Sequence, residues 1–165
     1  MPALLLQFLN LLEDSSWAET IRQSLWLYPA LEIIHIIGIV MLVGGALFFD
    51  LRLLGFSKNL PVNGLSAYLL PFSRRGLILV VPSGLLLFIT NAKSLGVDPT
   101  FWLKMSLLVI ASLNVLVFHK YIFKSPSSVS VEGKVEKVPF SARISALVSI
   151  MAWAAIIACG RLLAY

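Results

Sequence analysis

Few residues in this chain could do chemistry in an apolar setting, and the first pair is Glu32-x-x-His35, in the stretch EIIHIIGIVMLVGGALFFDLR. Three positions apart, the carboxylate and the imidazole share one face of a helix. Such a pair can ligate a metal or hold a proton. Di-iron helical proteins use this spacing twice and add further carboxylates. Here it occurs once, and the other apolar segments carry no acid at matching depth, so a metal on Glu32 and His35 lacks its remaining ligands. His35 also heads a stripe with Gly38, Leu42, Gly45 and Phe49 at alternating three- and four-residue steps. Small residues on such a stripe let helices approach closely. They also leave room for a flat macrocycle, so haem b on His35, lined by Gly38 and Gly45, is a second reading. Gly44 offers another close-contact face.

The remaining polar residues sort by depth, at about 1.5 Å of helix per residue. His35 stands about 22 Å from Asp50, Lys104 about 24 Å from Lys120, and Asn91 about 24 Å from Arg75. Glu32, His35, Asn91, Lys93, Lys104 and Arg161 therefore gather near one membrane face. Asp50, Arg52, Arg74, Arg75 and His119 gather near the other. An axial histidine pair must grip one iron from opposite sides. His35 and His119 of one chain lie at different depths, so haem would need a single-histidine site or a homodimer that presents His35 twice. His119 is otherwise an interfacial residue. Lys104 is expected to offset Glu32, and Asp50 to pair with Arg74 or Arg75. Asn91 is expected to cap a helix or bond at the interface. Asn114, well inside an apolar segment, should bond across to Ser145 or Ser149, since an unpaired amide in lipid is expensive.

These residues require long apolar helices to position them. The chain has 165 residues, 59% apolar and 13% charged. Soluble domains carry roughly twice that share of charge, and a chain this short cannot bury so much apolar side chain by itself. The fold class expected is all-α, an integral membrane four-helix up-down bundle, in one membrane domain over residues 1–165. The spans are placed at about 31–53, 74–92, 101–123 and 140–163. An N-terminal interfacial amphipathic helix is expected over about 2–12, with Leu4, Leu5, Phe8, Leu11 and Leu12 on one face. Residues 59–73 read as a separate short helix near Leu65–Leu70 between proline turns, and residues 125–139 as a polar loop with a small hairpin.

The net charge of +5 does not point to nucleic acid, because the basic residues sit between apolar segments and form no stripe. They act as topology signals instead. The first and third loops with their flanks hold nine lysines and arginines against four on the other side. That bias puts both termini outside the cytoplasm. Cys159 is alone, so no intrachain disulfide forms, and no cleavable leader is evident at the start. No nucleophile triad, phosphate loop or dinucleotide fingerprint is present, which argues against an enzyme acting on a soluble substrate. Three roles fit: a structural or accessory membrane component, a haem b electron carrier using His35, or an oligomeric path for a small solute or ion. Pro82 inside the second span favours a kink beside a cavity.

The stretches LWLYPALEIIHIIGIVMLVGGALFFDLRLLG, PSGLLLFITNA and FWLKMSLLVIASLNVLVFHK resemble an uncharacterised family of small four-span bacterial inner-membrane proteins. The resemblance runs over most of the chain and implies a multi-pass inner-membrane location. A fainter similarity links His35, Gly38, Gly44 and Gly45 to the membrane domains of copper-resistance and b-type cytochrome proteins, where a histidine followed by glycines opens a span. The four-histidine pattern of the two-haem cytochromes is not met here.

Overall fold

A computed structural model describes residues 3–56, 62–123 and 138–163. The described chain is all helical. Four helices are long and apolar enough to cross a membrane: α3 (Leu27–Leu54), α4 (Val62–Thr90), α6 (Pro99–Val117, continued by a π-helical turn Phe118–Phe123) and α7 (Phe140–Leu162). Three shorter ones complete the described residues: α1 (Ala3–Glu13), α2 (Ser16–Gln23) and α5 (Ala92–Val97). The polar loop read as a hairpin falls largely outside the described residues.

Local chemistry explains where the helices begin and end. Ser15 caps α2 by accepting from the Ala18 amide, and Asp98 caps α6 by accepting from Thr100 at 2.7 Å, with Pro99 opening the first turn. Both leave fewer amides unsatisfied. α3 stops at Gly55, whose φ of 107° is the left-handed conformation that glycine alone adopts without strain. There the Gly55 and Phe56 amides close back onto Arg52 and Leu51.

The spans run up and down. The start of α3 meets the end of α4, where Asn91 donates to the Tyr28 hydroxyl at 3.4 Å. The end of α3 meets the end of α6, where Phe49 and Phe118 pack edge-on at 5.7 Å. α6 and α7 are antiparallel, joined by Asn114 and Ser145. α3 pairs with α4, α6 pairs with α7, and the two pairs join along α3 and α7. The outward faces stay apolar, with Ile33, Ile36, Val40, Ile78, Val109 and Met151 all exposed, as lipid-facing positions should be.

One expectation is corrected here. α4 is one helix of 29 residues that runs through Pro71 and Pro82, so the separate short helix before Arg74 does not exist. Proline costs a backbone hydrogen bond inside a helix, but neighbouring helices make it tolerable in a membrane span. Near the N-terminus, α1 forms as expected and leaves Leu4, Phe8 and Leu11 exposed. Its docking residue is one outside that stripe: Leu9 is buried against α5, where a Cβ on Gly96 would lie 2.5 Å from its Cδ1. Arg22 ties α2 down by donating to the carbonyls of Thr90 and Glu13, and Glu13 accepts from the Lys93 amide at 2.7 Å.

Candidate functional site

His35 lies at the α3–α4 contact, half-buried, its Nδ1 2.9 Å from the Ser83 hydroxyl. Ser83 also donates back to the Leu79 carbonyl at 2.5 Å. The ring rests on Gly84, where a Cβ would stand 3.0 Å from the imidazole Cε1. Ser83 and Gly84 therefore form the seat of this histidine. The charged side chain that acts on His35 is Lys104 of α6, which extends toward Gly160 of α7. Glu32 does not join them. It is exposed, and among the described residues no ion pair links it to Lys104, so the expected offset between these charges is not made. Three positions along a helix share a face only within about 60°, and here that difference turns Glu32 outward while His35 turns in.

The glycine stripe is consumed by helix packing. A Cβ on Gly38 would come 2.7 Å from Val80 Cγ2 and 3.0 Å from the Val80 amide nitrogen. On Gly76 it would come 2.6 Å from the Leu42 nitrogen and 2.7 Å from the Gly38 carbonyl. Gly45 faces the Ser73 hydroxyl just as tightly. The α4 backbone thus occupies the room that Gly38 and Gly45 would have opened for a macrocycle, so these residues do not fit a haem slot. Gly44, expected to be a second contact face, has nothing within 4 Å. His119 sits at the opposite end, beside Phe118, with its Nδ1 3.0 Å from the Val115 carbonyl. Phe118 meets Phe49, which is about 21 Å along α3 from His35. One iron cannot take both imidazoles. No cluster of three histidine, cysteine or acidic ligands exists among the described residues.

The two amides found partners. Asn114 donates to the Ser145 carbonyl at 3.0 Å and accepts from the Ser145 hydroxyl at 2.9 Å. Asn91 precedes α5, donates to Tyr28 and Thr90, and its carbonyl accepts from Ser94. Asp50 found a different neighbour from the one expected. Arg74 and Arg75 are exposed on α4 and make no ion pair with it, whereas the Ser149 hydroxyl of α7 faces its carboxyl. Asp50 is 7% exposed and its Oδ2 has no hydrogen-bond partner. Sequence reasoning missed Gly76 as part of the counter-surface of α3. The small residues Ser73, Gly76, Ser83 and Gly84 on one apolar segment were the signal that marked it.

The fold and its glycine-packed first span define a four-helix membrane-type protein with paired hairpins. Over residues 26–165 the chain matches the model of a family of unknown function, DUF6644, and it belongs to that family. No curated protein and no solved structure matches it.

Proposed function

We propose that this protein is a multi-pass component of a bacterial inner membrane with a structural or accessory role. Its four apolar helices lie in lipid, the two basic loops face the cytoplasm, and both termini lie outside. The observation that carries the reading is the backbone-close contact of Gly38 with Gly76 and Val80. It spends the glycines of the first span on holding two helices together, which is the common use of small residues between membrane helices. His35 then serves as a packing and hydrogen-bonding residue that locks α3 to Ser83 of α4.

The absorption spectrum of the protein purified in mild detergent tests this against an electron-transfer role. We expect a colourless protein without a Soret band, and a His35→Ala variant that keeps its helical circular dichroism. A Soret band in the wild type that disappears in His35→Ala overturns the reading.

A further inference from the structure

The α3–α7 contact is the joint between the two helix pairs, and it holds a buried acid. α7 turns a row of small or buried residues toward its neighbours: Ala142, Ala146, Ser149, Ala152, Ile156 and Cys159. Asp50 meets this row at Ser149, beside an apolar cluster of Phe49, Leu53, Phe118, Ala142 and Ala146. One turn further along α7, the Trp153 indole Nε1 is a second buried polar atom without a partner.

Among the described residues, no ion pair answers the charge of Asp50. From α7 it meets Ser149, and the nearest ionisable residue of that helix, Arg143, is exposed. On α6 and its π-helical turn, Phe118 packs against Phe49, the residue before Asp50, while His119 bonds the Val115 carbonyl and Lys120 is exposed. On α4, Arg74 and Arg75 are exposed. On its own helix, Arg52 lies about 200° around the axis and has contacts of its own. An ionised carboxylate buried without a cation or a full set of donors carries a heavy desolvation cost, and a neutral carboxyl avoids most of it.

We propose that Asp50 is a proton-binding site set in the joint between the α3–α4 and α6–α7 pairs. Its carboxyl takes a proton from water to become neutral with Ser149 beside it, and returns the same proton to water when the joint opens. Ionisable residues inside membrane spans commonly mark proton or ion pathways. This site goes beyond the accessory role and does not depend on it, since a colourless protein and a haem protein would both be able to carry it.

Infrared spectroscopy of the whole protein in lipid at neutral pH reads the proton directly. A protonated carboxyl has a C=O stretch apart from the carboxylate and amide bands, and water-exposed acids do not contribute to it at that pH. We expect one such band in the wild type, shifted down in heavy water and absent from Asp50→Asn. Absence of the band from the wild type overturns the proposal, as does a band that persists unchanged in Asp50→Asn. Should that variant fail to fold, a hydrophobic carbodiimide applied to the wild type locates the band. The carboxyl proton moves to a carbodiimide nitrogen as the carboxyl oxygen bonds the central carbon. The adduct then rearranges to a stable N-acylurea with no atom lost. A one-reagent mass gain on the peptide containing Asp50 supports the site, and a band accompanied by modification only elsewhere overturns it.

Discussion

Asn114 shows how much one polar residue can be asked to do between apolar helices. Its Nδ2 donates to the Ser145 carbonyl and its Oδ1 accepts from the Ser145 hydroxyl, so both ends of the amide are used. Bonds of this kind between membrane helices contribute about 1 kcal/mol each. Asn114→Ala removes both, while Ser145→Ala removes one and leaves the carbonyl contact intact. Reversible unfolding in detergent should therefore show the larger loss for Asn114→Ala, about 1–2 kcal/mol, and a smaller one for Ser145→Ala. A double-mutant cycle should return a coupling of about 0.5–1 kcal/mol, whereas strict additivity would mean the pair does not act as a unit. This contact was legible beforehand because depth follows from counting residues, and Ser145 and Ser149 were the hydroxyls at the right depth on the fourth span. The partner of Asp50 was not, because it depends on how α3 is rotated. Arg74 and Arg75 lie at the right depth but on the exposed side of α4.

At the scale of elements, the same distinction separates what could be read from what could not. The four apolar segments and the stop at Gly55 follow from hydropathy and from glycine's freedom at positive φ. The rotation of each helix does not, since lipid-facing and buried faces are both apolar and the usual polar stripe is missing. Pro61, Asn63, Gly64 and Pro71 read as breaks in water, yet α4 runs from Val62 through Pro71. The glycines carry the rotational information once α4 is seen opposite α3. Gly76→Ala places a methyl within 2.6–2.7 Å of the α3 backbone at Leu42 and Gly38, where nothing can swing aside. Overpacking of that kind costs about 1–3 kcal/mol. Gly44→Ala meets open space and should be neutral or stabilise by up to about 1 kcal/mol through helix propensity. Unfolding midpoints in detergent check the contrast. Equal effects at the two positions would show that α3 and α4 do not interlock through Gly76.

For the whole molecule, the up-and-down order turns a statement about charge into one about sidedness. α1 and α2 are tied to the end of α4 by Arg22 and to the start of α5 by Glu13, so they share the His35 end with Lys104. α7 finishes at that same end, since Gly160 faces Lys104. An even number of crossings returns the chain to the side where it began, and α6 ends and α7 begins at the opposite end, with Phe49. Nine of the thirteen lysines and arginines lie in or beside the two loops of that opposite end, which the positive-inside rule assigns to the cytoplasm. In a Cys159→Ala background, Ser16→Cys should react with a membrane-impermeant maleimide in intact spheroplasts. Ser128→Cys should react only after the membrane is opened. Cys159 is the chain's one cysteine, so its removal clears the background of native thiols. The reverse pattern would invert the orientation, and equal labelling of both positions from outside would mean that the charge bias does not choose a side. Moving the bias should then move the protein. Adding lysines beside α2 while neutralising Lys134 and Lys137 should raise labelling of Ser128→Cys in intact spheroplasts, as the positive-inside rule expects.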